Sequence, residues 1–234
     1  MLDQQNRSQF LSQLAKQLGR PLRTEVVGTY PKVNDYPETR FTELSEQERY
    51  QAFINTAKDM LVDVVLSTAE NAKNDIIKIC EKYNGGNIVL NRDERLQQYQ
   101  ITQAVQQQYH THIWTEASEE NLEFSKSANI GIVFAEYGLI ESGGIVLYST
   151  PNNGRSVSLL PPISVVVLKR STIQPRIAQV AKVLHQKAEQ GERMPSCINI
   201  ISGPSATADI ELVKVVGVHG PIKVVYLLID DVEN

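Results

Sequence analysis

The chain has 234 residues, a formal net charge of −4, and 41% hydrophobic and 21% charged residues. This composition is ordinary for a globular protein and excludes the collagen-like, disordered and disulfide-scaffold classes. The acidic balance and scattered basic residues disfavour binding to duplex nucleic acid, which needs a positive surface. The length suits one large domain with a small appendage.

The two cysteines, Cys80 and Cys197, lie far apart in the sequence. An iron–sulfur cluster needs about four thiolates and a structural zinc site needs four Cys or His ligands, so these cysteines alone can build neither. We therefore expect no metal and no cofactor of the chain's own. Low cysteine use, a polar N-terminus and apolar runs far short of the ~20 residues that cross a bilayer predict a soluble cytoplasmic protein without a membrane span.

The first 44 residues predict an N-terminal helical arm and a connector. Apolar residues at helical spacing predict a helix over Asn6–Leu18, which Gly19 and Pro21 would end. The following stretch, Arg20–Leu44, contains several prolines and shows little periodicity. We therefore expect one arm over residues 1–44 and one α/β domain over residues 45–234.

From Ser45 onward, helical and extended patterns alternate. A capping box at Ser45 and Glu48 begins the first of these helices. The alternation favours a layered α/β fold with a largely parallel sheet, and the strand-rich second half predicts a mixed sheet with flanking helices. Further predicted helices are Ala72–Tyr83, Glu94–Gln108, Ser118–Ser127 and a segment from Ile173 with Pro175 in its first turn. The predicted strands are Val62–Leu66, Ile88–Leu90, His112–Trp114, Ile130–Phe134, Leu139–Ile140, Ile145–Tyr148, Ser164–Leu168, Cys197–Ile201 and Lys223–Ile229. The last two strands are too apolar for the edge of a sheet.

Two glutamates stand in an apolar, glycine-rich segment over residues 131–144. Unless they are paired, Glu136 and Glu141 would have raised pKa values there, which suits a general acid, a general base or a nucleophile. The alternative is a hairpin whose glutamates face water or pair with Arg155 or Lys169. Both interpretations stay open at this point.

The segment that follows carries an arginine after a turn. Residues 152–154 read Asn-Asn-Gly, a turn sequence, and Arg155 with Ser156 begins the next short segment. A guanidinium in that position can bind a carboxylate or a phosphate through two hydrogen bonds. The alternative is an internal salt bridge of Arg155.

Two later loops complete the set of candidate sites. The first follows the predicted strand Cys197–Ile201 and would begin a helical turn, where Gly203, Ser205 and Thr207 can hold an anion or simply cap the helix. It matches neither a Walker A loop nor a dinucleotide-binding glycine motif. In the second loop, glycines flank His219, which can act as an acid or base near neutral pH or serve as a hydrogen-bonding spacer.

These segments together resemble the LUD-domain family. The resemblance rests on Ala-Glu-Tyr-Gly at residues 135–138, Gly-Arg-Ser-Val-Ser-Leu-Leu-Pro at 154–161, Gly-Pro-Ser-Ala-Thr-Ala-Asp-Ile-Glu at 203–211 and Gly-Val-His-Gly-Pro at 217–221. Their order and spacing agree over about Ser45–Asp230. The chain departs from the family pattern at Tyr137 and Leu139, where many relatives carry threonine, and at Ala206, where many carry arginine.

The resemblance implies a fold like that of the NagB/RpiA/CoA-transferase class. It also implies a role in oxidising L-lactate to pyruvate together with two iron–sulfur proteins, lactate utilisation proteins A and B. The clusters would then belong to those partners, and a small carboxylic acid would be the substrate. No catalytic residue is carried over from the family. On chemical grounds the candidate catalytic residues are Glu136, Glu141 and His219, and the candidate anion-binding residues are Arg155, Ser156, Gly203, Ser205 and Thr207.

Two other functions remain open from the sequence. The chain could be a stand-alone enzyme that uses an acyl-CoA or a nucleotide and a nucleophilic glutamate, by analogy of fold. It could also be a non-catalytic scaffold or regulator whose N-terminal helix docks on an iron–sulfur partner.

Overall fold

The computed structural model describes residues 4–25, 28, 30–116, 118–209 and 211–232. The chain divides into two compact units, one up to Asp35 and one from Tyr36 onward. In the first unit, α1 spans Gln4–Gln17 and ends before Gly19, which has a positive φ of 62°. The predicted helix is therefore confirmed, with both ends shifted by one or two residues.

The second unit is built on a six-stranded sheet in which every pair of neighbouring strands is parallel. Nonpolar side chains fill both faces of its central strands. In the strand over 163–169, Val166 and Leu168 join one core cluster while Val165 and Val167 join the other. The strand order is β1 (Val62–Thr68), β12 (Lys223–Asp230), β7 (Ile163–Lys169), β4 (Ile130–Phe134), β2 (Ile88–Leu90) and β3 (Thr111–Ile113).

A smaller four-stranded sheet packs against one side of the core. Its strands, in spatial order, are β8 (Ile173–Gln174), β5 (Tyr137–Leu139), β6 (Gly144–Ser149) and β9 (Cys197–Ile201). Alternate residues of β6 face opposite ways: Ile145 and Leu147 enter the main core, whereas Val146 joins a small cluster with Val180. The prediction of a mixed α/β fold is therefore correct, with the parallel and the mixed parts in separate sheets.

Helices cover the two faces of the main sheet and the outer face of the small sheet. The capping box predicted at Ser45 and Glu48 is present. The helices of this unit are α2 (Tyr36–Thr39), α3 (Glu46–Asp59), α4 (Ala72–Lys82), α5 (Glu94–Gln98), α6 (Ile101–Gln108), α7 (Glu119–Ser127), α8 (Ser156–Leu159) and α9 (Ile177–Glu189). A two-stranded ribbon of β10 (Ala206–Thr207) and β11 (Val215–Val216) lies outside both sheets.

Three details of the predicted elements are wrong. The helix expected over 94–108 is broken at Gln100, whose φ of 57° is left-handed and separates α5 from α6. Ile173 belongs to a strand, because it pairs with Gly138, and the helix begins only at Ile177. Cys197–Ile201 forms an edge strand of the small sheet, where Ile200 is 44% exposed.

Candidate functional site

The chain reverses its direction of travel across the main sheet between β2 and β4. After β2 it moves outward to β3, and after β4 it moves inward to β7. Ligands of open α/β sheets bind in the crevice that such a reversal leaves beyond the carboxyl ends of the strands. Asp93 and Arg95 follow β2, and Glu136 follows β4, so all three side chains stand at this crevice.

Arg95 binds both carboxylates at this crevice. It donates to the two oxygens of Glu136 at 3.0 and 2.6 Å and to the two oxygens of Asp93 at 2.9 and 2.7 Å. Its guanidinium also lies over the Phe134 ring, 4.4 Å from the centroid. Burial acts to lower the pKa of Arg95, but its hydrogen bonds to the carboxylates of Asp93 and Glu136 outweigh this effect and hold the pKa above its ordinary value. The partner of Glu136 is therefore Arg95, and neither Arg155 nor Lys169.

Glu141 is engaged at the start of α9. One of its oxygens accepts from the backbone N–H of Ile177 at 2.8 Å, and the other accepts from Nε of Arg176 at 2.6 Å. A carboxylate beside the first N–H groups of a helix stabilises the helix dipole. Glu141 thus holds α9 onto the small sheet, and its partner too differs from the two considered from the sequence.

A cavity of about 320 Å³ lies between the two sheets and brings together three of the sequence candidates, Gly203, Ser205 and His219. The exposed imidazole of His219 stands on its wall. Neither Glu136 nor Glu141 is among the described residues that line it. Its apolar walls come from Ile145, Leu147, Leu159, Val166, Ile200, Ile201, Pro204, Pro221 and Val224, and its polar groups from Ser158, Ser164, Ser202, Ser205 and His219, with Gly203 and Gly220 between them.

The loop after β9 does not begin a helix, so the prediction of a helical turn there is wrong. Ser205 instead donates its N–H to the carbonyl of Pro221 at 2.9 Å, and Thr207 lies on β10 opposite Val215. Gly203 has a φ of 69°, and a Cβ there would lie 2.1 Å from the carbonyl oxygen of Met60. The glycine therefore lets the loop pack against the end of α3. In this position of the loop Ser205 lines the cavity, whereas Thr207 is not among its described lining residues.

Two buried serines on the cavity wall were not among the site residues predicted from the sequence. Ser158 and Ser164 are each 4% exposed, and both line the cavity. The Ser158 hydroxyl donates to the carbonyl of Arg155 at 3.2 Å, whereas the Ser164 hydroxyl makes no hydrogen bond within the described ranges. Buried polar groups are usually paired, so an unpaired hydroxyl facing a cavity is a candidate ligand contact. The available signal was a serine inside the otherwise aliphatic run of β7.

A close approach of α8 to β4 positions Ser158. Gly131 on β4 lies against this short helix, and a Cβ at that position would stand 1.7 Å from the carbonyl oxygen of Val157. Only a glycine fits so close a contact. The segment over residues 154–161, which resembles the family pattern, therefore places the buried Ser158 on the cavity wall.

Arg155 and Ser156 are not among the described residues that line this cavity. Arg155 is exposed and lines a much smaller cavity that shares Leu147 and Ser158 with the larger one. It forms no ion pair with any residue that the structure describes, so the internal salt bridge considered for it is not formed there. The Ser156 hydroxyl lies 3.4 Å from that of Ser125.

The described ranges contain neither a metal-binding cluster nor a membrane-crossing helix. No group of three His, Cys, Asp or Glu side chains is arranged there to hold a metal ion. No helix there combines the length and the apolar character needed to cross a bilayer.

Comparison with known proteins matches this architecture to a family. The model of the LUD domain matches residues 50–229. The chain is 50% identical to "Uncharacterized protein YkgG" of Escherichia coli K12, over 97% of this chain and 99% of that protein. It is 39% identical to lactate utilization protein C of Halalkalibacterium halodurans, with the same coverage, and 33% identical to the protein of that name in Bacillus subtilis, over 97% of each chain.

A solved structure agrees with the fold. The crystal structure of a DUF162 family protein from Deinococcus radiodurans matches with a TM-score of 0.57 and 16% identity, over 80% of this chain and 99% of that one. At this identity the likeness concerns the fold alone. The family match and the nearly full-length relatives show that the chain belongs to the LUD-domain family.

Proposed function

We propose that this protein acts in lactate utilisation, as a cytoplasmic component in the oxidation of L-lactate to pyruvate alongside two iron–sulfur proteins, lactate utilisation proteins A and B. The observation that carries the proposal is the 39% and 37% identity, over 97% of this chain, to relatives named lactate utilization protein C. The cavity between the sheets supports it, because its volume of about 320 Å³ suits a small acid.

The cavity has the chemistry that a small hydroxy acid needs. Its aliphatic walls exclude water around a methyl group, and Ser164 with Ser205 offers hydroxyls to the oxygens of the acid. His219 can take up the hydroxyl proton, since an imidazole accepts and releases protons near neutral pH. Arg155, exposed beyond Ser158, is the nearby cation for the carboxylate.

The reaction must release two electrons as well as two protons. Conversion of the alcohol to a ketone breaks the O–H bond and the C–H bond at the same carbon, and the electron pair of the C–H bond has to reach an acceptor. We place this acceptor in the iron–sulfur partners, because Cys80 and Cys197 are too few thiols for a cluster and lie in separate elements. This chain would bind the acid and handle a proton.

The alternative with a nucleophilic glutamate has less support. Both oxygens of Glu136 accept from Arg95, and both oxygens of Glu141 accept from the start of α9. A carboxylate held in this way is stabilised where it stands, and to attack a substrate it would have to give up part of these contacts. Calorimetry of the chain with an acyl-CoA thioester and with ATP separates the two functions: the lactate proposal expects no heat of binding from either.

Deletion of the gene in its host, followed by complementation, tests the proposal. The deletion strain should lose growth on L-lactate as sole carbon source, and the wild-type gene should restore it, provided no other lactate dehydrogenase is present. In a complex reconstituted with the suspected partners, His219→Ala and Arg155→Ala should each lower lactate oxidation at least tenfold. Normal growth of the deletion strain would refute the role, and full activity of both variants would refute the assigned site.

A further inference from the structure

A second cavity lies near the carboxyl end of β7, where α3 begins. It encloses about 250 Å³ and shares no lining residue with the cavity between the sheets. Its described lining comes from four places in the chain: Glu46, Arg49 and Tyr50 on α3; Arg170 and Ser171 after β7; Ile173 and Gln174 on β8; and Val232 after β12.

Three hydrogen-bond donors of this lining have no partner among the described residues. The Nε atoms of Arg49 and Arg170 are buried and have no hydrogen-bond partner in the described part of the chain. Tyr50 is 8% exposed, and its hydroxyl makes no hydrogen bond to a described residue. Burial raises the pKa of Tyr50, and Asp230 adds to this effect while Arg170 opposes it, so the phenol stays protonated and remains a donor. Unpaired buried donors beside a cavity indicate an acceptor that the chain itself does not supply.

Among the described charged side chains around the cavity, the other cations are ion-paired with carboxylates and Arg49 is not. Nη1 of Arg170 donates to both oxygens of Asp230, at 3.1 and 3.0 Å, and this pair is neutral overall. Glu46 is half exposed and lies 3.7 Å from Nε of Arg170. Asp231 is occupied by the N–H and hydroxyl of Ser171, at 2.9 and 2.6 Å, and lies 3.8 Å from Lys169.

Arg49 is the remaining charged group. It is half-buried and forms no ion pair with a residue in the described ranges. A single unpaired guanidinium, with a second guanidinium N–H and a phenol O–H beside it, matches a planar oxyanion of one negative charge. A phosphate dianion is a poorer match, because Glu46 and Asp230 stand close by.

We propose that the cavity formed by Arg49, Tyr50 and Arg170 is a binding site for the carboxylate of a small acid, distinct from the cavity between the sheets. A carboxylate there accepts hydrogen bonds from the two buried Nε–H groups and from the Tyr50 hydroxyl. The inference stands on this geometry and does not depend on the function proposed above.

Side-chain NMR of the full-length protein tests the site directly, because each buried arginine Nε–H gives its own resonance. Sodium acetate is the probe, with sodium chloride at equal ionic strength as the reference and inorganic phosphate as the competing anion. Arg49→Gln and Tyr50→Phe are the site variants, and Arg49→Gln also assigns the Arg49 signal. Lys58→Gln, exposed near the other end of α3, is the matched control for loss of one positive charge.

We expect acetate to shift the Arg49 and Arg170 signals with saturation and chloride to leave them unchanged. Arg49→Gln should weaken acetate binding at least tenfold as read from the Arg170 signal, Tyr50→Phe should weaken it about threefold, and Lys58→Gln should not alter it. An Arg49 signal that does not respond to acetate, or unchanged affinity in Arg49→Gln, would overturn the site. Tighter binding of phosphate than of acetate would overturn the assignment to a carboxylate.

Discussion

Ser164 is a polar residue in a strand whose sequence predicts an apolar interior. In the sequence it stands among β-branched residues, which predict a buried strand, and the structure bears this out. Yet it lines the cavity, and its hydroxyl has no hydrogen-bond partner among the residues that the structure describes. Because a strand interior normally excludes polar groups that lack a partner, this buried serine is more informative than the aliphatic residues on either side of it.

Substitution of Ser164 separates stability from function. Ser164→Val gives β7 a residue like those beside it, so the free energy of unfolding should change by no more than about 1 kcal/mol. Lactate oxidation by the reconstituted complex should fall at least tenfold, while Ser164→Thr, which keeps the hydroxyl, should retain most of it. Urea denaturation and turnover measured on the same preparations check this. Equal losses in both variants would show that the site needs space there rather than a hydroxyl.

The two cysteines should differ in reactivity. Burial raises the pKa of the Cys80 thiol to about 12, whereas Cys197 is partly exposed. The thiolate is the reactive form, so a thiol reagent at pH 8 should modify one cysteine quickly and the second only after unfolding. Mass spectrometry of the labelled peptides should identify Cys197 as the rapidly modified cysteine and Cys80 as the slow one. Rapid labelling of Cys80 in the native protein would contradict its described burial.

Among the residues of the candidate site, some could be predicted from the sequence and others could not, for a physical reason. Gly203, Ser205 and His219 lie in loops whose glycines mark close backbone approaches, so they were recognisable, and the structure brings them to one cavity. The pairing of Arg95 with Glu136 joins residues 41 positions apart, and it follows only from the neighbouring places of β2 and β4 in the sheet.

Among the elements, the short helix α8 depends on one glycine. In Gly131→Ala the new Cβ would lie 1.7 Å from the Val157 carbonyl oxygen, so α8 must move away from β4. We expect a loss of about 1–3 kcal/mol in the free energy of unfolding, as for other overpacked sites. Because Ser158 moves with the helix, lactate oxidation should also fall in molecules that remain folded.

A milder change in the same strand serves as the control for Gly131→Ala. Ile132→Val should cost about 0.5–1.5 kcal/mol and leave turnover unchanged, because it removes one methylene group without moving α8. Urea denaturation and turnover report both quantities. If Gly131→Ala unfolds at the wild-type urea concentration with full activity, the close contact between α8 and β4 does not determine the site.

The attachment of α9 depends on Glu141. Glu141→Ala leaves the Ile177 N–H and Nε of Arg176 without their acceptor, so we expect a loss of about 1–3 kcal/mol in the free energy of unfolding. Glu189→Ala, at the far end of the same helix on its exposed surface, should cost much less. Turnover per folded molecule should be unchanged in both variants. A large loss of turnover with normal stability would instead make Glu141 catalytic.

Most elements were predictable because periodicity and capping are local. The failures occur where tertiary contacts decide. Gln100 adopts a left-handed φ within a helix-compatible run, and Ile173 pairs with Gly138 instead of joining α9. The loop after Ile201 carries helix-capping residues but forms a strand against Val215, a partner that local sequence does not reveal.

For the whole molecule, alternation of helix and strand was enough to predict a parallel sheet, since parallel strands need crossover connections. It was not enough to show that the strand-rich middle forms a second sheet. That second sheet creates the cavity, because its inner face stands opposite β7 and β12 across the 320 Å³ space. The candidate site is thus a property of the packing of two sheets, although single motifs line it.

The most direct test of this account is the rate of L-lactate oxidation in extract of the gene-deletion strain after addition of purified protein. The wild-type protein should restore the rate, Ser164→Thr should restore most of it, and Ser164→Val should restore less than a tenth at equal amounts of folded protein. Restoration by Ser164→Val to the wild-type rate would contradict the claim that the cavity between the two sheets holds the acid.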